Sequence, residues 1–585
     1  MSEAESNTTN AYDNVPPDIV QTALPFLSPE DIKNLSHTNK YFHKLLNYES
    51  SETLWHDLFH KAYGRPYSND EPFQTKDSGE LRTCGEVIML QDFSSLSWQE
   101  RFKVRTEQVK LYTWGCLKHG RLGYTANSNS HLSSNNLNSV GMRIKYGVNS
   151  PTMVPWFEES NSTDESAIVQ VSSGGFAFQI LTRSGKLYTT GSSFSGGHNG
   201  PGPKEGEHDY NPFREAVHDL ETSFSRYRSI GITPGTFGVI PYGGTMHHGP
   251  TPTVGPHPNI YQDLEDMEKN AAQTIPGNSY IRRVFTRNCF DIFISDSHSF
   301  KVDKEKLDSI KFVAVSSGRS HFLALDENNN LYSWDSPDSD YGVRLSFKGL
   351  PSIDTNPIWK IGSGWDLNCI YVYKVGLIVW NKRDALKKGE LASDVHYTII
   401  PNTSDISGPG RVVDFACCQG DCVFFITNDR KILWVYSNGI VQQLRIPVEG
   451  EYVKVTVCFT ILALFTNEKC YTIKIKNSKL DMSSLTELQL EESEDRIISL
   501  ATGDYHTVAL TSKGQIYTWG LESQLCGCLG LGSPESVIEE EHHGRWDSIR
   551  NMRVEQPTKV KLNDEYTCVA VCAGGWQSGA LIMKR

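Results

Sequence analysis

The sequence lacks any hydrophobic run of the roughly 20 residues that a membrane-spanning helix requires. Its opening stretch, MSEAESNTTNAYDN, is polar and acidic and lacks the apolar core of a secretory signal peptide. We therefore expect a soluble intracellular protein located in the cytoplasm, the nucleus or both.

An excess of positive charge is also missing. The chain has 56 Lys and Arg residues against 69 Asp and Glu residues, which gives a formal net charge of -13 at pH 7. Sequence-independent binding to nucleic acid and attraction to anionic lipid both depend on clustered basic residues. We therefore expect neither a nucleic-acid partner nor a membrane partner.

Signatures of catalysis and of metal binding are missing as well. The Gly-rich stretch GSSFSGGHNGPG is not followed by the Lys-Ser/Thr pair of a phosphate-binding loop. The cysteines in CCQGDC (417–422) and CGC (526–528) lack the paired spacing of a structural zinc site, so we expect buried thiols. We interpret His247, His248 and His257 as solvated side chains of a Gly/Pro-rich segment. No catalytic residue, cofactor or metal is predicted, and we do not expect an enzyme.

What the sequence does contain is a repeated pattern. Its clearest copies are IISLATGDYHTVALTSKGQIYTWG (497–520), FVAVSSGRSHFLALDENNNLYSWD (312–335) and IVQVSSGGFAFQILTRSGKLYTTG (168–191). Each copy is typical of three antiparallel strands joined by a Gly-containing turn and a tight hairpin turn. One such sheet cannot cover both of its faces, but sheets stacked radially can, so the pattern predicts a β-propeller.

The number of blades follows from counting the two halves of the repeat. Opening halves begin near positions 168, 312, 358, 412, 453, 497 and 568, and closing halves lie near 112, 188, 332, 377, 433, 471 and 517. Seven of each predict seven blades. Because the array begins with a closing half and ends with an opening half, we expect residues 109–114 to pair with residues 568–583 and close the ring. Closure would remove the exposed sheet edges.

Several residue types recur at fixed places in the repeat. The glycines mark positions where φ is positive or where two backbones approach closely: Gly174, Gly318, Gly364, Gly503 and Gly574. We predict that His321 and His506 are buried hydrogen-bonding groups, because a catalytic base would not recur in several blades. The recurring tryptophans are predicted to pack between blades: Trp114, Trp334, Trp380, Trp434 and Trp519.

The motif A-x-G-x-x-H-x-x-A-L followed by G-x-I-Y-T-W-G resembles the regulator of chromosome condensation repeat. The G-R-L-G element at 120–123 and G-C-L-G at 527–530 fit the same family. The resemblance covers most of 109–585 and is weak between 371 and 475. One interval, 192–309, exceeds 100 residues and is rich in Gly and Pro. We interpret it as an insertion and, on its length, as a first candidate for a recognition surface.

The segment 14–64 has a helical rather than a β periodicity. Its apolar residues recur at helical spacing, beginning with Ile19, Val20, Ala23, Leu24 and Leu27. Pro16 and Pro17 open a first helix, and Ser28 followed by Pro29 is typical of the start of a second. A module of this size holds more apolar positions than it can hide from water, which indicates a docking partner.

The pattern VPPDIV, then FLSPEDIKNLSHTNKYF, then LW resembles an F-box, the module that binds the Skp adaptor of cullin-type ubiquitin ligases. The usual Leu-Pro-x-Glu start is replaced here by residues 15–18, VPPD. Under this resemblance we expect the adaptor to contact Pro16, Pro17, Ile19, Leu24, Leu27, Ile32 and Leu35.

The sequence thus predicts a multidomain chain in which a small all-α F-box precedes an all-β seven-bladed propeller. The expected limits are a disordered tail at 1–13, the F-box at 14–64, a helical connector at 65–108 and the propeller at 109–585. The combination resembles fungal SCF-associated factors. That resemblance implies a substrate-recognition subunit that binds the Skp adaptor, and through it a cullin, and directs an unidentified protein to ubiquitination and proteasomal degradation. A guanine-nucleotide exchange factor, a chromatin-associated propeller and a non-ligase scaffold remain alternatives.

Overall fold

The computed structural model of the chain describes residues 15–58, 98–102, 109–190 and 281–584, with short gaps within each range. The expected tail, most of the connector and most of the insertion lie outside the described residues, as do His247, His248 and His257. Among the helices that are described, none combines the length and the hydropathy that a bilayer crossing requires.

The N-terminal part consists of short helices whose limits follow from local sequence. They are α1 (Pro17–Ala23), α2 (Pro29–Thr38) and α3 (Lys40–Leu46), followed by helical residues at 53–55 and 58. Asn39 begins α3, because its side-chain oxygen accepts a hydrogen bond of 2.9 Å from the Phe42 amide. Asn47 ends the same helix in the left-handed conformation, with φ at 43°.

These helices enclose one small hydrophobic core. Its buried side chains are Val20, Ile32, Phe42, Leu46, Leu54, Trp55, Leu58 and Phe102. Phe102 belongs to the connector, and its ring centroid lies 5.2 Å from that of Trp55. The segment just before the propeller therefore completes the helical core.

The described part of the remaining chain forms seven sheets of four or five strands, and these are the blades of a propeller. Blade 1 contains Lys110–Cys116, Leu137–Val140, Ile144–Met153, Tyr566–Gly574 and Gln577–Lys584. Blade 2 contains Ile168–Ser173, Phe178–Thr182, Leu187–Thr190 and Ile281–Arg283. Blade 3 contains Phe312–Ser317, Phe322–Asp326, Leu331–Trp334 and Val343–Ser346, with Ala392–Asp394 added in parallel at its edge. Blade 4 contains Ile358–Ser363, Leu367–Val372, Gly376–Asn381 and Thr398–Ile399.

The last three blades are continuous in sequence. Blade 5 contains Val412–Cys417, Cys422–Thr427, Leu433–Ser437 and Ile440–Leu444. Blade 6 contains Tyr452–Cys458, Ile461–Thr466, Cys470–Lys476 and Lys479–Glu487. Blade 7 contains Ile497–Thr502, His506–Thr511, Ile516–Glu522, Arg545–Ser548 and Asn551–Lys559. Smaller elements are the hairpin Phe290–Phe293 with Phe300–Val302, helix α4 (Lys304–Ser309) and short helical turns at Ser134–Asn136, Ser523–Leu525 and Ser536–Glu540.

The innermost strands follow one another around the ring from blade 1 to blade 7, and that of blade 7 contacts that of blade 1. The seven-bladed propeller is confirmed, and every innermost strand begins within 2 residues of a predicted opening half. The fourth strand of blade 2, Ile281–Arg283, lies inside the interval that we interpreted as an insertion.

Blade 1 combines strands from both ends of the propeller segment. Lys110–Cys116 runs antiparallel to Gln577–Lys584, with Lys110 opposite Ile582 and Gly115 opposite Gln577. Two segments more than 400 residues apart in sequence therefore lie side by side in one sheet.

The repeated glycines lie where neighbouring blades approach each other. A Cβ atom on Gly318 would meet the carbonyl oxygen of Gly364, and one on Gly364 would meet that of Cys418. A Cβ atom on Gly574 would likewise meet the backbone of Gly174 in blade 2. None of the five repeated glycines is among the residues with positive φ. Of the two reasons expected for these glycines, close approach is therefore the one that the structure supports.

The antiparallel strands give the propeller two different faces. Turns that follow the innermost strands, such as 174–177, 318–321 and 503–505, gather on one face, which we call the aromatic face. Turns between the second and third strands gather on the opposite face, which we call the polar face. The polar-face turns contain the sequences RSGK, ENNN, NDRK, NEK and SKGQ. The chain enters the propeller at the polar face, where Lys110 lies opposite Ile582.

Candidate functional site

The seven predicted adaptor contacts do not share one environment. Pro16, Pro17 and Ile19 are exposed, and Leu24, Leu27 and Leu35 are half-buried. Ile32 is 0% exposed and lies at the centre of the helical core. The adaptor contact stays a prediction for all seven residues, and Ile32 is enclosed by its own module in this structure, with no surface left to offer a partner.

The first helix presents an apolar side chain to solvent. Ile19 is 57% exposed, whereas Val20 beside it is buried in the helical core. The start of α1 is held against α3 by the Tyr41 hydroxyl, which donates a hydrogen bond to the Val15 carbonyl. An exposed isoleucine on a fixed helix, with half-buried leucines elsewhere in the module, forms a surface suited to docking.

A second cluster lies on the aromatic face of the propeller, around Arg319. Its guanidinium carbon lies 5.1 Å from the centroid of the Phe176 ring and 4.8 Å from that of Trp365. One of its nitrogens donates to the carboxylate of Asp504. Arg319 belongs to blade 3 and Asp504 to blade 7, and blades 1 and 2 separate them around the ring. The ion pair therefore spans the mouth of the central channel.

Hydrogen bonds between neighbouring turns fix this cluster in place. The Gly175 amide donates to the Arg319 carbonyl at 2.9 Å, and the Asp504 amide donates to the Gly575 carbonyl at 2.8 Å. Because the turns are bonded to each other as well as to their own blades, the side chains above them are pre-organised.

The accessible side chains of the aromatic face are of the kinds that dominate protein interfaces. Tyr505 is 58% exposed, and Phe176, Trp365 and Trp576 are half-buried. Arg, Trp and Tyr supply most of the binding energy in protein complexes. The sequence analysis missed this cluster. The only available signal was that residues just after the repeated glycine vary between copies, while the strand positions do not.

A small cavity lies along the axis of the ring. It has a volume of about 190 Å³ and is lined mainly by small or hydroxyl-bearing side chains of the innermost strands, among them Ser173, Ser317, Ser363, Thr456, Thr502 and Ala573. Each of the three serines is followed directly by a turn of the aromatic face.

The repeat histidines connect blades. His321 Nε2 lies 2.8 Å from the Asn368 side-chain oxygen in blade 4, and His506 Nε2 lies 2.8 Å from the Ser578 hydroxyl in blade 1. Both histidines are buried, as predicted, and burial lowers the pKa of His506 to about 4. Their role is to join neighbouring sheets.

The recurring tryptophans are packed within the propeller. Trp114, Trp334 and Trp380 are buried, while Trp434 and Trp519 are partly exposed. The Trp114 indole nitrogen donates to the Cys528 carbonyl at 3.0 Å and so links blade 1 to the loop that follows the third strand of blade 7.

The cysteines of both predicted clusters are free and buried. Burial and the neighbouring thiols raise the pKa of Cys528. Burial also raises the pKa of the Cys568 thiol. Within the described ranges, no three His, Cys, Asp or Glu side chains are arranged to hold a metal ion.

Comparison with known proteins adds sequence relatives to this geometry. The chain is 48% identical to SCF-associated factor 1 of Saccharomyces cerevisiae, over 100% of both chains. It is 25% identical to the F-box protein pof9 of Schizosaccharomyces pombe, over 46% of this chain and 58% of that protein. Residues 312–334 and 497–528 match the family described as Regulator of chromosome condensation (RCC1) repeat. Among solved structures, the chain matches one from the crystal structure of Kap60 bound to yeast RCC1 (Prp20), with a TM-score of 0.48 and 13% sequence identity. The match covers 83% of this chain and 92% of that chain.

Proposed function

The chain belongs to the family of SCF-associated factor 1, and from this membership we propose that it is a substrate-recognition subunit of an SCF ubiquitin ligase. The observation that carries the proposal is 48% identity over the full length of both proteins, which includes the helical module as well as the propeller. The helical module, with proposed limits 14–64, would bind the Skp adaptor and through it the cullin scaffold. The propeller, with proposed limits 109–585, would bind the protein to be ubiquitinated and degraded.

In this role the chain contributes proximity rather than chemistry. Holding a target and the transfer machinery on one molecule raises their effective concentration and converts an encounter into an intramolecular step. Two separate surfaces are needed for this, and the exposed apolar side chain on α1 and the aromatic face of the propeller lie on different modules.

The adaptor contact is proposed to centre on Ile19, with Pro16, Pro17, Leu24, Leu27 and Leu35 around it. Ile32 is assigned a different role. Its side chain is fully buried beside Val20 and Phe42, so it holds the helices together and supports the docking surface from beneath.

The experiment compares Ile19→Asp with a matched control in the full-length chain. Ile440 is 59% exposed and lies on the outer strand of blade 5, so Ile440→Asp introduces the same change far from the helices. We expect Ile19→Asp to weaken binding to the purified Skp adaptor at least about tenfold, since an exposed apolar anchor is replaced by a charge. The control should bind like wild type, and both variants should melt like wild type. If wild type does not bind the adaptor, or if Ile19→Asp binds equally well, the proposal fails.

A further inference from the structure

The two faces of the propeller differ in what they offer a protein partner. The polar face is built from tight turns that carry Asn, Lys, Arg, Asp and Gly, whereas the opposite face carries a cluster of aromatic side chains around Arg319, namely Phe176, Trp365, Tyr505 and Trp576. Interfaces are enriched in aromatic residues and Arg and depleted in Lys and Asp. The aromatic face is therefore the better suited of the two to bind another protein.

The centre of the aromatic face holds a cationic group, the Arg319 guanidinium, whose charge is balanced by the carboxylate of Asp504. The guanidinium of Arg319 lies over two aromatic rings, which restrict its orientation and leave its edge to form hydrogen bonds. One N–H of that edge donates to the carboxylate of Asp504. The pair is only partly exposed, with side-chain accessibilities of 18% and 17%, so hydrogen bonds to it are less screened than on an open surface.

We propose that the aromatic face centred on Arg319 is the surface that binds the target protein, and that Arg319 recognises an aspartate or glutamate side chain of that target. Residues beside this carboxylate would pack on the exposed ring of Tyr505 and on Trp576. Naming the ligand a ubiquitination target depends on the proposed function, whereas recognition of an acidic peptide does not.

In this arrangement Asp504 is an internal competitor of the target. It holds the arginine in place in the free protein and must give up part of its contact when a target carboxylate arrives. Removing the carboxylate of Asp504 should therefore strengthen binding, while removing the charge of Arg319 should weaken it. A purely structural ion pair predicts the opposite for Asp504, because loss of either partner would then loosen the same turns.

The path of the chain agrees with this assignment. The helical module joins the propeller at the polar face, where Lys110 lies opposite Ile582. Within blade 2, the third strand ends and the fourth strand begins at the aromatic face, because Thr190 lies opposite Ile281. The propeller segment therefore begins on the face opposite to the proposed docking surface.

The test uses the full-length chain and a phage-displayed library of random 12-residue peptides as the probe. Enriched peptides are synthesised, and their affinities are measured by fluorescence anisotropy for wild type and three variants. The variants are Arg319→Gln, Asp504→Asn and, as a matched control, Arg545→Gln, whose guanidinium pairs with Glu555 on the outer strands of blade 7. Each enriched peptide is also made with its acidic residue replaced by glutamine or asparagine.

We expect acidic peptides to be enriched and to bind Arg319→Gln at least about tenfold more weakly than wild type. Asp504→Asn should bind them about threefold more tightly, the size expected for removing a partly exposed competing ion pair. The control variant should bind within about twofold of wild type. Neutralising the acidic residue of the peptide should weaken binding to wild type but have little effect on binding to Arg319→Gln.

Three results would overturn the proposal: no enriched peptides, enriched peptides without a shared acidic residue, or weaker binding by Asp504→Asn. If Arg319→Gln does not fold, Asp504→Asn and the neutralised peptides still decide the question. Because the adaptor takes no part in this assay, failure of adaptor binding would remove the proposed function without changing the result for the aromatic face.

Discussion

Glu522 provides a quantitative test of the packing between blade 7 and blade 1. Its carboxyl group is 0% exposed and accepts two hydrogen bonds of 3.3 Å, one from the Asn138 side chain and one from the Leu529 amide. Burial raises its pKa to about 7 from the ordinary value of 4.5, and backbone hydrogen bonds offset only part of that shift. We predict that Glu522→Gln makes the propeller more resistant to unfolding at pH 8 and has a much smaller effect at pH 5.

The sign follows from proton binding. Because the pKa of Glu522 is higher in the folded state, the folded protein binds the proton more tightly than the unfolded chain does. The resulting stability is fully present below pH 4.5 and is lost as the pH rises through 7. One pKa unit corresponds to about 1.4 kcal/mol, so this group should lower the free energy of unfolding by about 2–3 kcal/mol between pH 5 and pH 8. Because glutamine cannot ionise, the Glu522→Gln variant does not lose this unfolding free energy as the pH rises.

The assay is urea unfolding of the full-length chain, followed by tryptophan fluorescence at pH 5 and pH 8. The difference in unfolding free energy between Glu522→Gln and wild type should grow by about 2–3 kcal/mol from the lower to the higher pH. Other titrating groups cancel, because both proteins contain them. Glu555→Gln, which alters an exposed carboxylate on the outer strand of blade 7, should show no such growth. A difference that stays constant with pH, or a variant less stable than wild type at pH 8, would refute the reasoning.

Four further predictions test the ring and its attachment. Gly364→Val should lower the melting temperature, because its side chain would meet the backbone of the next blade, at a cost of about 1–3 kcal/mol. Lys360→Met should lower the unfolding free energy in urea by about 3–5 kcal/mol, since it leaves the buried carboxylate of Asp414 without its ammonium partner. Adding Asp414→Asn should restore part of that loss. If the pairing of Lys110–Cys116 with Gln577–Lys584 closes the ring, deleting residues 577–585 should speed amide hydrogen exchange in Lys110–Cys116, and unchanged exchange would argue against closure. Inserting a flexible Gly/Ser linker within 103–108 should slow ubiquitination of a bound target while both binding affinities stay constant.

The propeller could be predicted because its signal is repeated and local. Five of the seven copies carry the turn glycine and every copy carries apolar strand residues, so several weak signals supported one another. Even blades 5 and 6, where Cys418 and Cys458 stand in place of the repeated glycine, begin where the pattern placed them. The functional alternatives could not be separated in this way, since the same repeat occurs in proteins with different roles.

Ile19 and Ile32 show where helical periodicity stops being informative. Both occupy apolar positions in the pattern, yet one is 57% exposed and the other is fully buried. Which helix face turns inward is decided by side chains distant in sequence, such as Trp55 and Phe102, that fill the core from another direction. Periodicity identified the apolar residues but not which of them faces a partner.

Arg319 and Asp504 lie beyond sequence reasoning for a different reason. They are 185 residues apart and belong to turns of two blades that are not neighbours. No local pattern couples them, because the contact exists only when the ring brings opposite turns to one mouth. The contact between Arg319 and Asp504 therefore depends on how the blades are arranged around the ring, and no sequence motif predicts it.

The connection between the two modules sets how they can cooperate. Phe102 is buried in the helical core and Val109 in the propeller core, so the chain between these two residues can span at most about 25 Å. An innermost strand such as Ile168–Ser173 adds about 20 Å between the polar and the aromatic face. A target docked at Arg319 would then be separated from the adaptor by the depth of the ring and one short segment. Lengthening that segment changes neither contact surface, so its effect on ubiquitin transfer reports the geometry alone.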